Sequence, residues 1–321
     1  MARPRTDVTD EAFIAAYKKY QSAFDVARHF GLSHAAVWSR RRKIEAKTGL
    51  TLPQFDKRAK YARAETQVGN PVFKLEVENG TVLIGSDIHI WPGELTTTQR
   101  AFIHFAKLLK PTACILNGDV TDFASISRFP SIGWEHKPTV KQELDAVGDF
   151  LGELEKVLGK CIRAWNLGNH DARFENRIAA TAPEFSGVKG VHLRDHFDRW
   201  HPAWRTDIND DVVVTHRIAG GEHADYNNVI RSGKTTVTGH DHRLGVVPWH
   251  DYRGLRWGVR TGYMGESPLD RQFVNYLEAH EPNWHPGFAV LTFRNGMLLW
   301  PEIVSKHAEG VVCFRGELVE V

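Results

Sequence analysis

Long hydrophobic runs are missing from this chain of 321 residues: its apolar stretches are strand-sized, well short of the roughly 20 residues that a membrane-crossing helix needs, and no membrane span is expected. Behind Met1-Ala2-Arg3-Pro4-Arg5 there is no apolar segment either, so neither a signal peptide nor secretion is expected. Cysteine is scarce. Cys114, Cys161 and Cys313 lie far apart in strand-like stretches and read as reduced core residues of a cytoplasmic protein, not as a thiolate metal site. What is present is ordinary for a globular chain, 42% hydrophobic and 25% charged, and long enough for one large core with a small satellite domain. The net charge of +2 hides an asymmetry, because residues 1–65 hold 14 Lys or Arg against 7 Asp or Glu. That basic excess is the footprint of a module that meets a polyanion, with a merely solvated basic face as the alternative.

Polar clusters recur at the ends of apolar runs. Trp165-Asn166-Leu167-Gly168 leads into Asn169-His170-Asp171, Val82-Leu83-Ile84-Gly85-Ser86 into Asp87-Ile88-His89, and Cys114-Ile115-Leu116-Asn117 into Gly118-Asp119-Val120-Thr121-Asp122. Asp211-Val212-Val213-Val214-Thr215 leads into His216, and Thr235-Thr236-Val237-Thr238 into Gly239-His240-Asp241-His242. Each pattern reads as a buried strand that delivers its next residues into a loop at its carboxyl end, the edge where open α/β sheets bind ligands. Carboxylates, imidazoles and an amide gathered at one edge would be costly to bury without a metal to hold.

The series Asp87-x-His89, Gly118-Asp119-x-x-Asp122, Gly168-Asn169-His170-Asp171, His216 and Gly239-His240-x-His242 resembles the five motifs of the calcineurin-like metallophosphoesterases, in the family's order, over about residues 72–320. The resemblance implies a two-sheet α/β sandwich. It also implies that Asp87, His89 and His242 hold one divalent metal ion, that Asn169, His216 and His240 hold a second, and that Asp119 bridges the two. His170 would act on the leaving group, with Asp171 orienting it, while Asp122 and Asp241 would support the site without binding metal. A donor set without sulfur suits Mn²⁺ first, with Fe, Zn²⁺ or Ni²⁺ as alternatives. In the loop after the second motif, Arg128 and Trp134 could clamp phosphates and stack on bases, or the loop could be a lid packed on the core.

The amino-terminal stretch carries helical spacing over Asp10–Tyr20, a second helix capped by Ser22, a turn at Gly31-Leu32, and a third helix from a Ser33 cap to about Lys47. Ala27, Gly31 and Val37 fall where a helix-turn-helix wants a small residue, a turn glycine and a buried aliphatic. The unit resembles the helix-turn-helix DNA-binding family, which would make Ser33, His34, Ser39, Arg40, Arg41, Arg42 and Lys43 available to bases and phosphates. A three-helix bundle for protein contacts is the alternative. The expected organisation is a helix-turn-helix-like domain over 1–50, a basic linker with a short helix near Lys57–Ala64 over 51–71, and a metallophosphoesterase domain over 72–321. The attached basic module points to DNA as partner, and so to a DNA phosphodiesterase or nuclease of bacterial or phage origin in the cytoplasm. The alternatives are a phosphatase or phosphodiesterase for a small molecule or protein, and a DNA-binding regulator with a metal-sensing domain. The sequence is silent on oligomeric state.

Overall fold

The computed structural model describes residues 8–20, 22–52, 71–129, 131, 134, 136–265 and 282–321. Three helices come first, α1 (Asp10–Tyr20), α2 (Ala23–Phe30) and α3 (His34–Thr48). Their ends follow local chemistry: Ser22 and Ser33 accept the N–H groups of Asp25 and Ala36, and Gly31 and Gly49 close α2 and α3 at φ 65° and 69°. Phe13, Tyr17, Val26, Val37, Trp38 and Ile44 form their core. This unit rests on the larger body, where Ser22 Oγ donates to Glu76 Oε1 at 2.8 Å and Trp38 crowds Gly296. The expected basic helix at Lys57–Ala64 lies outside the described residues.

The body opens with β1 (Val72–Leu75), β2 (Gly80–Gly85), α4 (Thr97–Leu109), β3 (Ala113–Asn117), α5 (Val140–Leu158) and β4 (Ile162–Asn166). It continues with α6 (Arg173–Thr181), α7 (Leu193–His196), β5 (His201–Ala203), β6 (Arg205–Ile208), β7 (Val212–Thr215), α8 (Ala224–Ser232) and β8 (Thr235–Thr238). It ends in strands: β9 (Leu244–Asp251), β10 (Gly254–Thr261), β11 (Gly287–Arg294), β12 (Met297–Leu298), β13 (Glu302–Ala308), β14 (Val311–Phe314) and β15 (Glu317–Glu320). One sheet has the order β1-β6-β7-β8-β10-β9, the other β15-β14-β13-β11-β2-β3-β4-β5 with β12 on β11. Alternation along β3 explains the layering: Ala113 and Ile115 join the core between the sheets, while Cys114 and Leu116 face the helices.

Side-chain amides tie the two sheets together at the ends of β3 and β4. Asn117 Nδ2 donates to Thr215 O at 3.0 Å, Asn166 Nδ2 to Val214 O at 3.0 Å, and Thr206 Oγ1 to Asn166 Oδ1 at 2.8 Å.

Three local expectations from the sequence are corrected: a hairpin of residues 72–77 and 81–85 turned at Glu78-Asn79-Gly80, a strand over residues 297–303 after a turn at Arg294-Asn295-Gly296, and three core cysteines. Residues 72–85 make no hairpin: β1 pairs with β6 and β2 lies between β3 and β11, so the Asn79-Gly80 turn carries the chain from one sheet to the other. The stretch 297–303 is interrupted between β12 and β13, where Pro301 has no N–H for a ladder, although the preceding Asn295-Gly296 turn forms as expected with φ 53° and 78°. Of the cysteines, all free, only Cys114 is fully buried. Among the described residues no helix is long and apolar enough to cross a membrane.

Candidate metal centre

Every motif sits just beyond a strand. Asp87 and His89 follow β2, Asp119 follows β3 and Asn169 follows β4 of one sheet; His216 follows β7, and His240 and His242 follow β8 of the other. Five of these residues, Asp87, His89, Asp119, His240 and His242, have left-handed backbones with φ between 45° and 74°. Such conformations cost about 1–3 kcal/mol each for non-glycine residues and persist where the surroundings enforce them. The motif glycines show what enforces them. A Cβ on Gly168 would lie 2.0 Å from Asp119 Oδ1, one on Gly118 2.4 Å from His216 Nδ1, and one on Gly239 2.5 Å from Asp87 Oδ2. Each glycine is a gap through which a side chain of another motif reaches the centre.

Three groups of potential ligand atoms result among the described residues, each within 4.8 Å: Asp87, His89 and His242; Asp119, His216 and His240; and His89, Asp122 and His170. Asp87 Oδ2 accepts from Ser86 Oγ at 2.5 Å and from the His240 N–H at 2.8 Å, leaving Oδ1 without a donor and 3.2 Å from His242 Nε2. Asp119 Oδ1 accepts the His170 N–H at 2.8 Å, and its Oδ2 faces His216 Nε2 at 3.1 Å. His216 Nδ1 meets the Asn117 carbonyl at 2.9 Å and must donate to it, so Nε2 carries a lone pair unless a second proton is bound. Asn169 Oδ1 is buried with no hydrogen-bond partner among the described residues. Acceptors that face one another in a dry site want a cation between them, and this donor set fits one in each of the first two groups, whereas in the third the His170 ring already bonds Asp122.

The titration of the site tells the same story. Burial would neutralise Asp87, but the His242 and His216 rings override it and hold the carboxyl at about 2. For His216 burial opposes the charge, yet Asp119 and Asp87 raise it to about 10. Without metal, the histidine takes the role of the cation.

His170 is oriented by Asp122 and not by Asp171, a correction to the sequence reading. His170 Nδ1 lies 2.5 Å from Asp122 Oδ1, which is also 3.4 Å from His89 Nδ1. Asp171, 1% exposed, is turned away from the imidazole and accepts from the N–H groups of Asp119, Val120, Thr121 and Gly168, from Thr121 Oγ1 and from Trp165 Nε1. Its adjacency to His170 in sequence misled, because neighbours on a turn point apart.

Other contributors were missed. Buried Glu143 accepts the N–H groups of Asp122, Phe123 and Ala124. A carboxylate on the stripe shared with Val147, Leu151, Leu154 and Leu158 was the available signal. Arg173 donates to Asp122 O at 2.8 Å and approaches His170 Nε2 at 3.1 Å, and Arg260 holds Asp241 at 3.2 Å. No spacing in the sequence marks either.

The loop after the second motif is no packed lid where it is described: Phe129 and Trp134 are 62% and 104% exposed, and the Arg128 guanidinium lies over Phe129. In the helical unit, Arg41 is not available to DNA, a second correction. It is buried, bonded to Glu45 at 3.0 Å, and its guanidinium lies over the Tyr17 and Trp38 rings. Arg40 bonds Asp10 and the Val8 carbonyl, and His34 accepts from Trp38. Ser33 caps α3, Ser39, Arg42 and Lys43 face outward, and Arg42 comes within 4.0 Å of Glu78.

Residues 80–294 match the family described as calcineurin-like phosphoesterase. The Gene 54 proteins of the Mycobacterium phages D29 and L5 are each 26% identical to this chain over 254 residues, covering 70% of it and 92% of their own length. Among solved structures, an archaeal phosphodiesterase is similar at 16% identity and a TM-score of 0.35, covering 70% of this chain and 99% of its own. A dimetal phosphatase from Danio rerio is similar at 10% identity and a TM-score of 0.37, covering 72% and 96%. With a family match spanning more than half its length, this chain belongs to the calcineurin-like phosphoesterases.

Proposed function

We propose that this phosphoesterase works with two divalent metal ions and that its substrate is a DNA phosphodiester. The observation that carries the dinuclear reading is the pair of groups Asp87-His89-His242 and Asp119-His216-His240, together with a buried Asn169 oxygen that has no hydrogen-bond partner among the described residues. Asp87, His89 and His242 would hold one ion and Asn169, His216 and His240 the second, with the Asp119 carboxylate shared between them. When bound, the ions neutralise charge on the phosphoryl oxygens and activate water for in-line attack. Mn²⁺ is the first choice for this imidazole, carboxylate and amide set, with Fe, Zn²⁺ and Ni²⁺ as alternatives.

The chain's own residues do the rest. Asp122 fixes the His170 ring through Nδ1, so that Nε2 is the nitrogen turned to the reacting phosphoryl group, where it meets the leaving oxygen. Asp171 and Glu143 hold the backbone of the loop that carries Asp119 and Asp122.

DNA as substrate rests on the basic excess of residues 1–65 and on the helix-turn-helix-like order of α1 to α3, read as a domain over 1–50 joined by a basic linker to the catalytic domain over 72–321. Arg42, Lys43 and Ser39 are the outward groups of α3 that would meet it. Both phage relatives fit an enzyme acting in a host cytoplasm. A second reading, a phosphatase or phosphodiesterase for a small molecule or protein, is favoured by the internal engagement of His34, Arg40 and Arg41.

A metal-supplemented assay comparing plasmid, single-stranded DNA and p-nitrophenyl esters decides between them. Cleavage of DNA is expected, with Arg42→Ala and Lys43→Ala weakening binding and each lowering the slope of log K against log salt by about 0.9. Hydrolysis of the small esters with intact DNA at every salt concentration would retire the DNA reading.

A further inference from the structure

Arg173 stands at the first position of α6, beside the proposed metal centre, and has a contact that loop support alone does not require. Its Nη1 bonds the Asp122 carbonyl at 2.8 Å, which ties α6 to the loop after the second motif. Its Nη2 lies 3.1 Å from His170 Nε2, the nitrogen left with a lone pair when the proton sits on Nδ1 against Asp122. That Nε2 is in turn 3.8 Å from Asp119 Oδ2. The guanidinium thus borders the acceptors that face the centre. Its distance to Asp122 Oδ1, 3.7 Å, is too long for a hydrogen bond. Among the described residues, this side chain with five donors therefore has a carbonyl and an imidazole for hydrogen-bond partners, and the Asp122 carboxylate only at ion-pair distance.

We propose that Arg173 is a substrate-binding residue whose Nη2 leaves His170 and donates to a non-bridging phosphoryl oxygen when the ester arrives. The exchange is downhill because an N–H from a guanidinium to an anionic oxygen is about twice as strong as one to a neutral acceptor. The same movement uncovers the His170 Nε2 lone pair, which takes up a proton from solvent and can then donate it to the leaving oxygen, so the imidazole is readied for that oxygen only once a phosphoryl group occupies the site. The ligand class is any phosphoester, and the inference rests on the phosphoesterase reading of this centre without depending on DNA.

The experiment uses the metal-loaded full chain, with bis(p-nitrophenyl) phosphate as substrate and inorganic phosphate as competing ligand, in the wild type, Arg173→Gln and Arg173→Lys. Arg173→Gln is expected to keep its metal content and to raise both KM and the phosphate inhibition constant by about tenfold to a hundredfold, the loss of one charge-assisted hydrogen bond. Arg173→Lys should recover part of both, since a point charge replaces a fork. A Gln variant with wild-type KM and phosphate inhibition overturns the proposal. So does loss of metal or of cooperative unfolding in both variants, which would make Arg173 a brace for the Asp122 loop. A wild type that hydrolyses the diester while the variants match it sinks the Arg173 role alone; a metal-loaded wild type that hydrolyses none sinks the reading beneath it.

Discussion

Asp171 and Glu143 divide six consecutive backbone N–H groups between them: Asp171 accepts those of Asp119, Val120 and Thr121, and Glu143 those of Asp122, Phe123 and Ala124. Once β3 leaves its ladder these donors are buried with no strand to bond, and the carboxyl oxygens of two acidic side chains replace the missing acceptors. The loop that presents both Asp119 and Asp122 is thereby held by side chains from β4's loop and from α5.

The two carboxylates beside His170 should separate by experiment. Asp171→Asn places amide hydrogens among donors and is expected to cost on the order of 3 kcal/mol, read as a drop in the urea midpoint. Asp122→Asn is expected to leave that midpoint near the wild type while turnover falls about 10²-fold, as should His170→Ala, with metals retained in both. If Asp171→Asn were stable and slow instead, the sequence-based assignment of Asp171 as the orienting group would be restored.

Glu143 gives the unfolding equilibrium a pH dependence. Burial pushes it up from 4.5 to about 8, helped by Asp122 and opposed by the three N–H groups it accepts. The unfolded chain releases this proton near 4.5 and the folded chain keeps it until about 8, so stability falls as pH rises through that window and is level above it. In metal-free protein Glu143→Gln should flatten this part of the profile. Urea midpoints collected across the window test it, and an unchanged slope would show that Glu143 is ionised throughout.

Asp119→Asn should lose both metal ions, because in the proposed dinuclear centre its carboxylate is shared by the two. Two ions per chain with near-normal turnover would refute the bridging role.

Loading should also release a proton. The metal-free chain keeps His216 protonated up to about 10, and its contribution to stability, complete below 6.5, falls away as pH rises from 6.5 to about 10. An ion on Nε2 must displace that proton, so at about pH 8 titration with Mn²⁺ should release about one proton per chain, absent in His216→Ala. Calorimetry in two buffers of different ionisation enthalpy measures it.

The strand ends were legible because each rests on a local pattern, an apolar run stopped by glycine and polar residues, and β2, β3, β4, β7 and β8 all deliver their motif where that pattern put it. The partners of those strands were not: β1 and β2 look like a hairpin across Asn79-Gly80, and only burial on both faces, which depends on distant strands, sends them to different sheets. The same limit separates Asp122 from Asp171, since the face a turn residue presents is decided by what packs behind it. Arg41 was misread because a run of four basic residues on a helix cannot all face outward, and position 41 falls on the stripe of Val37, Trp38 and Ile44.

The amide ties between the sheets, Asn117 to Thr215 and Asn166 to Val214, lie directly beneath the centre. Each of the two groups proposed to hold an ion is completed across that seam, since Asp87, His89 and Asp119 come from one sheet while His242, His216 and His240 come from the other. A slip of one sheet along the other would therefore pull both groups apart at once, and a bound ion resists that slip. Metal binding thus acts as a rivet through the sandwich: its free energy is added to the cohesion of the two layers, so chelation should lower the force or denaturant needed to part them even though no hydrogen bond between the sheets has been removed.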